Sequence, residues 1–356
     1  MGILILLFLG IACDTCDTGT NGNGSKVIDK IYYSAIVVNN SSSAIYTIDK
    51  NLTKTSLLLD SAFLYSTPSD NGYMAYLSNE IINNNTKKAL YLFDLTNGST
   101  KLISYESSIF GLYSPILSPD ASLIAINSGD DKLIIYNNNN AATFNLISTN
   151  FHVNSNVSFS PDSKMMAFVE KVNANLFKVK VIDAKNNSSI ATLFEKNYPI
   201  NDNNTNFLNF FSWDKNSNNL FFALNKSDSS FIYQIDLTTK EEKQISFSSA
   251  NIKFYDFVIS PNSKYACFSN IDGNIWLVHL IKDNYKFYKI SNLPAAYISF
   301  APRWSNDANK VLFSMRRNDA NQGNNILMLA DIKYEPSVQS TAITLISNNV
   351  TYGFIK

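Results

Sequence analysis

Few residues in this chain are of types that do chemistry, and their spacing limits what they could do. Cys13 and Cys16 are separated by two residues, as in a dithiol redox motif. Such motifs work at the start of a helix in a βαβ unit, whereas this pair follows directly on an apolar run. No redox role is expected. Cys267 stands where Ala125 and Ala167 stand in similar apolar stretches, and it reads as a buried core residue. There are two histidines. His279 replaces an Asp that recurs elsewhere and is expected to play a structural part at a turn. His152 lies in a loop, and alone it makes neither a metal site nor a catalytic dyad. The stretch "NIDGNIW", residues 270–276, resembles a calcium loop but lacks the later carboxylates, so Asp272-Gly273 reads as a hairpin turn. There is no Gly-x-Ser-x-Gly elbow and no phosphate-binding loop. The three arginines, Arg303, Arg316 and Arg317, fall close together near the C-terminus, and Arg suits bidentate contact with carboxylate or phosphate. The residues therefore point to binding rather than catalysis, with no cofactor and no metal expected.

Charge narrows the partners. Lys and Arg together number 29, as do Asp and Glu, for a formal net charge of zero. No basic stripe suggests nucleic acid. The N-terminus reads "MGILILLFLGIACDTCDTG". Its apolar run of ten, Ile3 to Ala12, is too short to span a bilayer and fits the core of an export signal. Residues 1–12 are read as a signal peptide and 13–26, rich in Gly and polar residues, as a flexible tether.

The elements that must position these residues announce themselves by repetition. "SFSPDSKMMAFVE", residues 158–170, is a tight turn followed by an apolar strand: Pro sets φ, and Asp or Ser side chains bond nearby backbone N–H groups. Similar turns occur at Ser118-Pro119-Asp120-Ala121 and Ser260-Pro261-Asn262-Ser263, with looser copies at 67–72, 212–214 and 303–307. The marker Asp or Asn at 70, 120, 162, 214, 262 and 306 recurs at intervals of 42 to 52. Behind each turn an apolar strand ends in a polar residue: "IYTID", "LYLFD", "LIIYN", "VKVID", "IYQID", "IWLVH", "LMLAD". A further short strand follows each. The unit is thus four strands, A to D, with the Pro-Asp turn between A and B. Four strands in about 47 residues is the size of a propeller blade, and such a small sheet buries both faces only between neighbours in a ring.

There are seven C strands but six A–B turns. The first unit lacks an A strand, and "NNVTYGFIK" at the C-terminus supplies one, so residues 27–356 are expected to form an all-β, seven-bladed propeller closed by pairing of the two termini. Seven blades give about 47 residues each, whereas six would need 55 and eight about 41.

The Ser-Pro-Asp-x-Lys wording and "APRWSND" at 301–307 resemble the WD40-like propeller repeat of TolB-type proteins. The resemblance covers nearly all of 27–356 and implies a fold, not an activity. That family usually has Gly after the Asp, where this chain has Ala121, Ser163 and Ser263. TolB-type proteins also carry an α/β domain ahead of a six-bladed propeller, for which this chain has no room, so their partners do not carry over; by analogy alone they suggest a role in sensing or outer-membrane assembly. The N-terminus is similar to bacterial lipoprotein signals, which implies lipidation at Cys13 and anchorage at the cell envelope outside the cytoplasm. The expected function is non-enzymatic binding or scaffolding of an envelope protein or peptide. The ligand would sit on the face formed by B–C and D–A loops, where Tyr113, His152, Tyr255, Asp256, Tyr297, Arg316 and Arg317 fall. The alternative is a lyase or lactonase-like hydrolase at the same channel mouth.

Overall fold

The computed structural model describes residues 30–37, 42–49, 52, 55–60, 62–105, 115–128, 131–138, 143–151, 157–173, 176–185, 191–199, 207–226, 229–245, 254–280, 285–317, 325–334, 338–346 and 350–355; for some strand residues, among them 63–65, 207–210, 254–255 and 350–355, only the backbone is described. The expected signal and tether lie outside these residues. Among the described residues there is no helix, and the strands form seven four-stranded antiparallel sheets.

Six blades run in simple A-B-C-D order. Blade 5 is representative: Phe207–Trp213, Asn219–Lys226, Ser229–Asp236 and Glu242–Ile245. In blade 1 the strands Ile31–Val37, Ser42–Ile48 and Thr55–Leu59 are joined on the inner side by Val350–Ile355, with Ile31 opposite Ile355 and Tyr33 opposite Gly353.

Burial follows distance from the centre. Strand B of blade 6, Tyr265–Asn270, is buried at every position, whereas the outer strand Thr55–Leu59 has no buried residue. This explains why B strands read as continuous apolar runs: each sheet is covered on both faces by its neighbours. Alternate side chains of strand B point opposite ways. In blade 5, Leu220, Phe222 and Leu224 pack with Ala167 and Val169 of blade 4, while Phe221 and Ala223 pack with Phe257 and Ile259 of blade 6. The core is accordingly divided into seven apolar clusters, one at each seam between blades. The seam between blades 7 and 1 joins Leu312, Leu327 and Leu329 to Ile31, Tyr33 and Ile48.

The repeated turn has one geometry in six blades. Its fourth residue returns a backbone bond to the first: Ala121 to Ser118 at 2.9 Å, Ser163 to Ser160 at 2.8 Å, Ser263 to Ser260 at 2.8 Å and Ala308 to Ser305 at 3.0 Å. That fourth residue has positive φ: Gly72, Ala121, Ser163, Ser217, Ser263 and Ala308. The turn therefore keeps the left-handed conformer at the position the repeat usually gives to Gly, and places Ala or Ser in it. In blades 2, 5 and 7 the turns are Ser69–Gly72, Asp214–Ser217 and Ser305–Ala308, so the third place falls to Asn71, Asn216 and Asp307 rather than to the expected Asp70, Asp214 and Asn306. The Asp and first Ser work as a unit. Ser160 Oγ donates to Asp162 at 2.6 Å and accepts from the Met165 N–H at 2.9 Å, and Asp162 accepts from the Lys164 N–H at 3.1 Å.

The Asp that ends strand C caps the next turn. Asp94 accepts from the Thr96 N–H and Asp236 from the Thr238 N–H, both at 2.8 Å. His279 brings no carboxylate to this place. It stacks on Tyr265 instead, at 4.5 Å between centroids, and Tyr265 stacks in turn on Tyr334. Cys267 is fully buried at the blade 6–7 seam, in its expected place.

Candidate binding face at the blade 6–7 seam

Strand A of blade 6, Phe254–Ile259, pairs with Tyr265–Asn270 with a register shift between Phe254 and Asp256. Strand A of blade 7, Tyr297–Trp304, pairs with Lys310–Arg317 with a shift between Phe300 and Arg303. Within the second irregularity, Ala301 has φ of 53°. Such bulges re-aim side chains and backbone groups. Here the two face each other. The Asp256 carboxylate accepts from the Ser269 N–H at 3.3 Å, from Ser269 Oγ, and from the Ala301 N–H of the next blade. Burial pushes the Asp256 carboxyl up, opposed by the Ser269 and Ala301 hydrogen bonds and the nearby Arg303 charge. Burial also pushes the neighbouring Cys267 thiol well up, which makes it a packing residue rather than a nucleophile. Trp304 adds a second tie, donating from Nε1 to the Val258 carbonyl at 3.2 Å.

Asp256 is thus a buried bridge between inner strands. Tyr255 is its neighbour in the same strand, described by its backbone. Tyr113 and His152 lie outside the described residues. The other three expected residues come together at one end of blade 7, where Tyr297 faces Arg317 and Ile298 faces Arg316 in register. Arg316 lies diagonally across from Phe300, with its guanidinium 5.6 Å from the ring centroid. A guanidinium over an aromatic face is held in place while its N–H groups, at the edge of its plane, suit a carboxylate or phosphate.

The hairpin turn of blade 6 holds this end rigid. Ser299 donates from its N–H and its Oγ to the Gly273 carbonyl, at 2.9 and 2.8 Å. Gly273 has φ of 79°, and a Cβ there would stand 2.4 Å from the Tyr297 carbonyl oxygen, so glycine is required by both conformation and space. Beside it, Asp272 accepts from Trp276 Nε1 at 3.1 Å and faces Lys289 Nζ at 3.6 Å. Asp272 also accepts from the Asn274 N–H at 3.1 Å, within the turn itself. Among the described residues no group of three or more His, Cys, Asp or Glu could hold a metal ion.

Phe300, Ser269 and Gly273 were not expected at this site. Ser269 stands near the end of an otherwise apolar B strand, which is a legible sign of a buried polar contact. The pairing of Arg316 with Phe300 depends on the bulge and has no mark in the chain.

The fold so defined is a seven-bladed β-propeller. No family model matches the chain, and no curated protein matches it. Solved structures do. TolB from Acinetobacter baumannii superposes with a TM-score of 0.53 at 14% identity, over 92% of this chain and 66% of that one. A candidate 6-phosphogluconolactonase from Bacteroides uniformis gives 0.58 at 12%, over 91% and 98%. Kluyveromyces lactis Hsv2 gives 0.55 at 11%, over 85% and 92%. This chain spans just under two thirds of the Acinetobacter TolB's length, and at these identities the likeness is one of fold.

Proposed function

We propose that the chain is a non-enzymatic binding or scaffolding lipoprotein of the bacterial cell envelope, anchored through Cys13, which takes an envelope protein or peptide on the B–C and D–A loop face. The observation that carries the reading is the Arg316 guanidinium set over Phe300, with Tyr297 and Arg317 paired beside it, on strands braced by Ser299, Gly273 and Asp256. This is a preformed anion-binding end on a rigid frame, and the group recognised is a carboxylate or phosphate of the partner. The local carboxylates are spent on structure: Asp256 on the seam, Asp272 on Trp276 and Lys289.

The test is capture from detergent-solubilised envelope with wild type and with Arg316→Ala, Arg317→Ala. Surface changes usually stay within about 0.5 kcal/mol, so the variant should melt near wild type while capturing much less partner. Equal capture by both proteins removes the arginines from the site. Turnover of a lactone by the purified chain contradicts the non-enzymatic reading.

A further inference from the structure

Strand D is the outer edge of every blade, and one position on it can be compared around the ring. It faces the residue three before the polar end of strand C. Leu57 faces Tyr46, Leu102 faces Tyr91 and Leu146 faces Ile134. In blades 4 to 7 the same place holds Glu195 opposite Lys180, Gln244 opposite Tyr233, Lys289 opposite Trp276 and Thr344 opposite Met328. Blades 1 to 3 thus present leucine where the others present charged or polar residues. The leucines are 57%, 40% and 49% exposed, and Tyr105 on the strand of Leu102 is 41% exposed. Charge follows this division only in part, since the D strand of blade 7, Gln339–Ile346, carries no charged residue and carboxylates are confined to those of blades 4 and 5. The D strands of blades 1 to 3 hold Lys101 and no carboxylate. Those of blades 4 to 6 hold Glu195 and Lys196, Glu242 and Lys243, and Lys286 and Lys289.

The apolar arc includes the blade at which residues 1–29 join the ring. Lys30 leads into Ile31–Val37, where Tyr33 pairs with Tyr46, and Tyr46 pairs with Leu57. Leu57 is therefore two ladder spacings, about 10 Å, from the strand that the leader enters. We propose that the outer rim of blades 1 to 3 lies against the lipid surface to which the chain is anchored. This rests on the anchored reading above and adds the side of the ring that faces the membrane. Leucines with a Tyr and a Lys on their own strands, and no carboxylate on those strands, suit the headgroup boundary, where aromatic and long cationic side chains sit favourably. The outer edge of each D strand leaves backbone groups unpaired by the sheet. Those groups are costly to carry into hydrocarbon, so the contact is shallow.

The test uses the full lipidated chain carrying Cys16→Ser and Cys267→Ala, the residue that blades 3 and 4 have at that place, reconstituted in phosphatidylethanolamine and phosphatidylglycerol vesicles. A single cysteine is placed by Leu57→Cys, Leu102→Cys or Leu146→Cys, or on the other arc by Glu195→Cys, Gln244→Cys or Lys289→Cys, and labelled with an environment-sensitive fluorophore. An alkaline wash first reads anchorage. Probes on blades 1 to 3 should emit to the blue and lose intensity when the lipid carries a doxyl quencher near the headgroup, and the other three should do neither. Retention through the wash with no difference between the arcs overturns the rim contact and leaves the anchor standing. Release by the wash removes the anchor and the rim contact with it. A blue shift without quenching by lipid shows that a second copy or another protein covers the leucines, which also overturns the proposal.

Discussion

Asp162 can be tested against a relative within the same chain. In blade 6 the third turn residue is Asn262, which accepts from Ser260 Oγ at 2.7 Å and from the Lys264 N–H at 3.1 Å, as Asp162 does in blade 4. An amide is therefore sufficient for the turn. Burial pushes the Asp162 carboxyl up, but hydrogen bonds from Ser160, Lys164 and Ser217 outweigh it and hold the group below its ordinary range. Asp120 and Asp307 are lowered in the same way, Asp120 with Lys185 as an added partner. A carboxyl lowered in the folded state contributes stability that is present above its unfolded pKa, about 3.9, and lost as pH falls through the folded value. The wild type should thus lose Tm progressively below about pH 4. Asp162→Asn, which keeps the turn but not the carboxylate, should melt below wild type at pH 7 and converge with it on acidification, read by thermal melts across pH. Gly273 makes the opposite prediction. Gly273→Ala meets the Tyr297 carbonyl oxygen at 2.4 Å in a left-handed conformer. It should cost at least about 2 kcal/mol in a urea titration and loosen the arginine end of blade 7.

At the scale of the elements, the turns lace blades together. The Asp162 N–H donates to Ser217 Oγ of blade 5 at 3.1 Å, and the Asp120 N–H to Ser163 Oγ of blade 4 at 3.0 Å. This is why Ser, rather than Gly, is useful at a positive φ: its hydroxyl reaches the preceding blade. Ser217→Ala leaves a backbone donor without that acceptor and should cost about 1 kcal/mol, read as a lower urea midpoint with unchanged slope. Ala121→Gly, which removes no hydroxyl, should change stability by less than about 0.5 kcal/mol. The hairpins, their spacing and the number of blades were legible because Ser-Pro-Asp fixes a turn by local chemistry, repeated often enough to count. The caps at Asp94 and Asp236 were legible for the same reason. The Asp256 bridge was not. Asp256 looks like a loop residue until two opposed bulges bring Ser269 and Ala301 to it, and bulges are set by the packing of one blade on the next. The Leu57, Leu102 and Leu146 series likewise emerges only once the C–D register is known.

The whole molecule is a ring of seven seams, and its stability depends on the ring being complete. Val350–Ile355 pairs with Ile31–Val37 and lies against strands A, B and C of blade 7, next to the cluster of Ile31, Tyr33, Leu312 and Leu329. A chain ending at Ser347 loses that inner ladder and leaves Ile31–Val37 as an open edge, which invites aggregation. Burial of a large apolar side chain contributes about 1.5–3 kcal/mol, so uncovering three or four costs on the order of 5–10 kcal/mol. That rivals the stability of a typical domain, about 5–15 kcal/mol. The direct measurement is a thermal melt and sedimentation of the chain ending at Ser347 beside one lacking only Lys356. The closed seven-bladed ring predicts that the first aggregates or fails to show a cooperative melt while the second behaves as wild type. A soluble chain ending at Ser347 that melts within a few degrees of wild type contradicts closure by the C-terminal strand.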